Sequence, residues 1–244
     1  IKDTEARPDQ IKNLSVAFLK IYGQSIEILN LRGNEVYNPG DRNPVFVQKN
    51  ALPLDDAQRR DLTINSMFYN INTGRVEDYT KMGYSDLATM PLRTPLDPIK
   101  TFLDDPLRVL RILRFHSRYM NSRIDPAAIQ SMKDPQVQAY LTNKISDPKS
   151  ASGIVVERTA EELRKILSGQ QPESAIRVMY ETGLLSKILN LPSNFNPLNM
   201  NQQNRFHSLD IINHTILVLK NTNQLSIKFG LNDQERMLLN FSES

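Results

Sequence analysis

With 244 residues, 23% of them charged and 39% hydrophobic, the chain has the balance of a soluble globular protein and room for two or three compact units. It contains no Cys, which excludes disulfides and thiolate metal sites and fits a reducing compartment: cytoplasmic or, in a eukaryote, mitochondrial or nuclear. A net charge of +3 leans only mildly toward polyanions, and no apolar run reaches the length of a membrane span, so no membrane partner is expected.

Ile1-Lys2-Asp3-Thr4-Glu5 lacks the basic region and apolar core of a signal peptide, and the missing initiator Met points to a processed chain or a fragment. Residues 1–10 are polar and read as a loop. Apolar, β-rich runs at 14–22 and 25–31 flank Gly23-Gln24, the pattern of a hairpin with a tight turn. Along the second run Ile26, Ile28 and Asn30 share one face, and Ser25, Glu27 and Leu29 the other. Gly33, Pro39, Gly40, Pro44 and Pro53 mark residues 33–54 as a long loop. Asp55-Asp56 opens a helix expected to reach Asn70, and Val76-Glu77-Asp78-Tyr79 is a short strand after Gly74. Pro91, Pro95 and Pro98 mark 89–99 as a boundary between units. Beyond it the periodicity gives helices near 105–119, 125–132, 153–168, 172–182, 208–224 and 232–241, with Gly169 as a stop and Pro172 beyond it. Residues 192–204 are rich in Asn, Pro and Gln and read as a linker. The fold class is therefore α+β, a mixed first part with a small sheet that starts before residue 1, followed by an all-helical part.

Chemistry concentrates between Phe102 and Arg118. Pro106 suits a first helical turn, with Asp104 or Asp105 as cap. Leu103, Leu107, Leu110 and Leu113 make an apolar stripe. Arg108, Arg111, Arg114 and Arg118 recur at intervals of three and four and make a second, cationic one. A solvated surface helix accounts for such a stripe. Two features point further. Every cation from Arg108 to Arg118 is Arg, whose planar fork suits phosphates and base edges, and the stripe begins with Asp105 three residues before Arg108. A carboxylate accepts from the amino group of cytosine or adenine, and a guanidinium donates to the neighbouring ring nitrogen or carbonyl. Uracil and guanine turn a carbonyl toward the carboxylate, which leaves acceptors opposed at a cost of about 1–3 kcal/mol. Arg residues one turn further along suit a triphosphate. A second segment, Asp55 to Met67, carries Arg59-Arg60-Asp61 beside the apolar Ile64, Met67 and Phe68, and reads either as a capped amphipathic helix or as a contact to ribose and phosphates.

Together these segments resemble the class II tRNA nucleotidyltransferases that add CCA, and the related bacterial poly(A) polymerases. Arg59-Arg60-Asp61-Leu62-Thr63-Ile64-Asn65 is similar to the family's Arg-Arg-Asp motif, and Asp104-Asp105-Pro106-Leu107-Arg108 to its (Glu/Asp)-Asp-x-x-Arg base-selecting motif. Asp78 to Gly83, with Asp86-Leu87 and Arg93-Thr94, resembles the flexible connector. Glu157-Arg158 with Glu161-Glu162-Leu163 resembles the neck-helix motif, and Ile26 to Arg32 a strand of the head domain. The motifs run in order over most of residues 10–220. The resemblance implies residues 1–95 as the later part of a nucleotidyltransferase head, 96–169 as a helical neck and 170–244 as a partial helical body. It implies transfer of nucleotides from CTP and ATP to a tRNA 3′ end with Mg²⁺, and salt-sensitive contacts to the tRNA backbone. Asp105 and Arg108 would act as the template for the incoming base. Arg60, Arg111 and Arg114 would meet the triphosphate, and Asp61 the ribose. Glu27 would lie beside the metal, or else be a solvent-facing strand residue.

The sequence also departs from the family's pattern. The phosphate-binding Gly-Gly and the Asp-x-Asp metal pair that precede the first of these motifs are not in residues 1–244, so the Mg²⁺ ligands are expected mainly outside them, and this stretch alone is expected not to catalyse. Alternatives are a poly(A) polymerase, a CC- or A-adding relative, and a non-catalytic RNA-binding fragment. Near the end, Phe206 to Thr215 resembles the opening of metal-dependent phosphohydrolase domains. Without further ligands, Asp210 and His214 read instead as part of a helix start capped by Ser208.

Overall fold

Aspartate followed by proline starts four helices of this chain, because the carboxylate accepts the orphan N–H groups of the first turn and proline needs none there. In the computed structural model, which describes residues 16–33, 35–36, 45–46, 51–146, 154–192 and 209–230, Asp97 accepts from Lys100 N ahead of α3 (Pro98–Asp104). Asp105 accepts from Leu107 N at 3.0 Å ahead of α4 (Leu107–Arg118). Asp125 does the same for α5 (Pro126–Met132) and Asp134 for α6 (Pro135–Ser146). The helix expected near 105–119 is α4, which begins after the Asp105 cap, while Asp104 closes the preceding α3.

Upstream lie two hairpins. β1 (Val16–Ile21) pairs antiparallel with β2 (Gln24–Leu29). Tyr22 and Gly23 turn between them with φ of 49° and 80°. Two positive φ values match the twist of the flanking strands, so the turn sits one residue before the expected Gly23-Gln24. Every β2 residue is exposed, and the alternation along it separates no inside from outside. β3 (Glu35–Val36) and β4 (Val45–Phe46) pair within the expected loop.

The helix expected from Asp55 to Asn70 stops early. α1 covers Pro53–Gln58, a 3-10 turn covers Thr63–Asn65, and β5 (Phe68–Asn70) pairs with β6 (Arg75–Glu77). The helix ends at the Arg59 C-cap, and by Leu62, which is fully buried, the chain is extended. Asp61 takes the Leu62 N–H at 2.9 Å, and the Thr63 N–H goes to Arg93 O at 3.0 Å, so these donors leave the helical ladder. α2 (Gly83–Thr89) leads into β7 (Pro91–Leu92), which pairs in parallel with β8 (Arg123–Ile124). Among the described residues the strands form four separate pairs rather than one small sheet.

The core is helical. α4 is its axis, with Leu107, Val109, Leu110, Ile112 and Leu113 buried, packed against α7 (Ile154–Leu167) and α8 (Pro172–Glu181). A Cβ on Gly169 would lie 1.9 Å from Ser117 Oγ and 2.6 Å from Ser117 O, so only glycine lets the end of α7 reach α4. His116 is buried between Ser122 Oγ at 3.1 Å and Ser174 Oγ at 2.7 Å, a core position. α9 (Leu184–Ile188) and α10 (Ile211–Lys228) complete the helices described, and the helix expected at 232–241 lies outside the described residues. No helix among those described is long and apolar enough to cross a membrane.

Candidate nucleotide-binding cleft

Asp56 was read as a first-turn acid, but it anchors a cluster. Its side chain is 6% exposed. It accepts from Arg32 N at 3.1 Å, Arg59 Nη2 at 2.9 Å and Arg60 Nε at 3.2 Å. Burial pushes its carboxyl up, and the Arg32 amide with the Arg59 and Arg60 guanidiniums outweighs this, so it sits below the usual carboxylate value. Arg60 also donates to Asn65 O at 2.9 Å and lies 4.7 Å over the Phe68 ring.

Asp61 divides its two oxygens. Oδ1 accepts from Leu62 N and Asn65 Nδ2, and Oδ2 accepts both Arg111 Nε and Arg111 Nη2 at 2.7 Å. With both guanidinium nitrogens on one oxygen, this charged contact ties the segment after α1 to α4. Arg108 is turned by another partner than the one expected: its Nη1 donates to Thr101 O at 3.2 Å, while Asp105 has Arg158 Nη2 3.7 Å from its Oδ2.

These side chains open on one cleft of about 1330 Å³, whose walls include six arginines (32, 59, 60, 108, 111 and 158) and four carboxylates (Glu27, Asp56, Asp61 and Asp105). Phe68, Tyr69, Ile71 and Phe115 supply apolar surface beside them. Glu27, Arg60, Asp61, Asp105, Arg108 and Arg111 are thus brought together. Arg114 is not among the lining residues: it donates to Glu162 Oε1 at 3.0 Å, a bridge from α4 to α7, and lies 4.8 Å over the Phe115 ring. Desolvation pulls the Arg114 guanidinium below its ordinary value despite Glu162. Arg32, Asp56 and Arg158 line the cleft without having been expected there, and Arg59 lines it as the Arg59-Arg60-Asp61 reading allowed. The spacing of Asp56 to Arg59 and Arg60, three and four residues, was the available signal.

Two family models match the chain. The family model described as "Poly A polymerase head domain" matches residues 4–93, and "Probable RNA and SrmB- binding site of polymerase A" matches residues 151–193. The mitochondrial CCA tRNA nucleotidyltransferase of Saccharomyces cerevisiae is 39% identical over 214 residues, 88% of this chain and 37% of the relative. The nucleotidyltransferase lcsQ of Purpureocillium lilacinum is 46% identical over 165 residues, 68% of this chain and 25% of the relative. The chain belongs to the tRNA nucleotidyltransferase and poly(A) polymerase family.

The fold agrees with that membership. A solved CCA-adding enzyme in complex with CTP superposes with a TM-score of 0.51 at 27% identity, covering 73% of this chain and 37% of that one. The chain spans about a third of the length of such relatives. Its cleft is built across both matched segments: β2, α1 and β5 come from the head-domain match, Arg158 from the second, and α4 lies between them. The Mg²⁺ expected from the nucleotidyltransferase resemblance finds no site among the described residues, where no three His, Cys, Asp or Glu side chains gather. Of the cleft carboxylates, Asp56 and Asp61 accept from arginines, Asp105 is held by the start of α4 with Arg158 beside it, and Glu27 lies on β2. At the far end Asp210 is itself the cap of α10, accepting from Ile212 N and Asn213 N at 3.0 Å each, whereas Ser208 lies outside the described residues.

Proposed function

We propose that this chain is the nucleotide-selecting part of an enzyme that adds C, C and A to tRNA 3′ ends from CTP and ATP. The observation that carries the proposal is the convergence of Asp105, Arg108, Arg111, Arg60 and Asp61 on one cleft from segments about fifty residues apart in sequence. The names of the yeast relative and of the CTP complex support the same reading. Asp105 has one oxygen held by the start of α4 and the other turned toward Arg158, an acceptor suited to an exocyclic amino group. Arg108, three residues further along α4, supplies the donor beside it. Arg111 and Arg60 suit the triphosphate and Asp61 the ribose. Both Arg111 and Asp61 must then exchange part of their mutual bond for the ligand. Residues 1–95 are assigned to the head, 96–169 to the neck and 170–244 to the beginning of the body. The proposed compartment is the cytoplasm, or the mitochondrion that the yeast relative's name carries. No step of this reading runs through Mg²⁺, whose ligands are assigned mainly outside the described residues.

Base selection tests it. In the natural full-length protein, Asp105→Ala is expected to lower discrimination of CTP and ATP against UTP and GTP by roughly tenfold, the equivalent of one unmatched acceptor pair, and unchanged discrimination would sink the assignment. Sequencing the 3′ ends of tRNA incubated with CTP and ATP separates the products: CCA supports the proposal, whereas a run of A, CC alone or A alone assigns a relative's reaction.

A further inference from the structure

The side of α7 that meets α4 carries a row of contacts at intervals of three and four residues, and the rungs climb both helices in parallel. Gly169 lies against Ser117 so closely that a Cβ has no room. Ile166 O accepts from Ser117 Oγ at 2.5 Å. Glu162 accepts from Arg114 at 3.0 Å, with the two side chains 11% and 16% exposed. Arg158 is the last rung, its Nη2 3.7 Å from Asp105 Oδ2. The three lower rungs leave α7 little freedom to slide along α4, so the upper end of α7 is a fixed mount. Arg158 stands on that mount and lines the same cleft as Asp105 and Arg108.

From this geometry we infer that Arg158 is a positioning residue for base selection: it orients the Asp105 carboxylate without itself reading the base. The inference rests on the base-selecting reading of Asp105. A carboxylate held through one oxygen alone can still swing its other oxygen about the Cα–Cβ and Cβ–Cγ bonds. The start of α4 holds Oδ1 through the Leu107 N–H. A cation 3.7 Å from Oδ2 limits that swing by drawing the oxygen to one side of the cleft. Discrimination against uracil and guanine depends on that fixed acceptor, because a carboxylate free to rotate turns away from an opposing carbonyl and loses the penalty. Arg158 is more than half exposed, so its replacement leaves the core intact.

The test is the ratio of kcat/KM for CTP to that for UTP in the natural full-length protein, measured for wild type, Arg158→Ala, Arg158→Lys and Asp105→Ala, with Tm followed in parallel. Arg158→Ala is expected to lower the ratio several-fold with Tm nearly unchanged, Arg158→Lys to restore most of it, and Arg158→Ala to add no further loss on top of Asp105→Ala. If Asp105→Ala destroys the ratio and Arg158→Ala leaves it alone, Arg158 does not position the carboxylate, while the base-selecting reading survives. If Arg158→Ala slows CTP and UTP equally, the residue contacts every nucleotide or merely supports the fold, and the inference is overturned. If neither substitution moves the ratio, the base-selecting reading falls and takes the inference with it.

Discussion

Asp56 shows how much one side chain organises at the rim of the cleft. Its carboxylate holds Arg59, Arg60 and the Arg32 amide together, so removing it leaves two guanidiniums and a backbone donor without their acceptor. Asp56→Ala is expected to cost about 2 kcal/mol, below the value for a fully buried pair because both arginines keep access to water. Thermal or urea unfolding measures it. The sign with pH follows from its lowered carboxyl. The stability it lends is complete above the ordinary carboxylate value and is lost as pH falls through that range, so the gap between wild type and Asp56→Ala should close in acid. At this scale the sequence was legible where a residue's chemistry and its neighbours agree: Asp61, Asp105, Arg108 and Arg111 all face the expected cleft. It misled at Arg114. At 100° per residue, Arg114 lies roughly 120° around the helix from Arg108, and that turn carries it out of the cleft to Glu162 on α7. Linear spacing alone makes the two look like one stripe.

Among the elements, α4 and α7 make the contact with the tightest tolerance. Gly169→Ala is expected to destabilise the protein by about 3 kcal/mol through the overlap with Ser117. Pairing it with Ser117→Ala should fail to rescue it, because Ser117 O, a backbone atom, remains 2.6 Å from the new Cβ. Full rescue in a double-mutant unfolding series would locate the strain in the hydroxyl instead. Gly169 was legible as a helix stop, but its closeness to Ser117 joins residues 52 apart in sequence, which no local pattern carries. The opposite holds for α3 and α6. Neither was expected from periodicity, yet Asp97-Pro98 and Asp134-Pro135 mark both starts locally by the same dipeptide that opens α4, and the prolines of 89–99 point to a loop instead. The helix expected from Asp55 ends at Gln58 and does not resume through Leu62, where a tertiary contact competes: the Thr63 N–H is claimed by Arg93 O, 30 residues away.

For the molecule as a whole, the passage from mixed β/α to all-α was legible in the change of period, whereas the pairing of short strands was not, since two-residue strands hold too few side chains to show an alternation. One such pair has a mechanical consequence. β7 lies in the proline-rich stretch yet is fastened on both sides. Thr63 N donates to Arg93 O, Arg123 N to Met90 O and Asp125 N to Leu92 O, and Leu92 is fully buried in the helical core. The covalent thread through residues 94–97 is therefore not what keeps the two portions together. If a protease site is engineered there and cut, the pieces should still co-elute on native size exclusion and part only in denaturant. Separation under native conditions would assign the cohesion to the uncut chain. In this respect the joint is a rivet rather than a hinge pin: the cleft-lining residues on either side of it are expected to keep their alignment after the backbone between them has been severed.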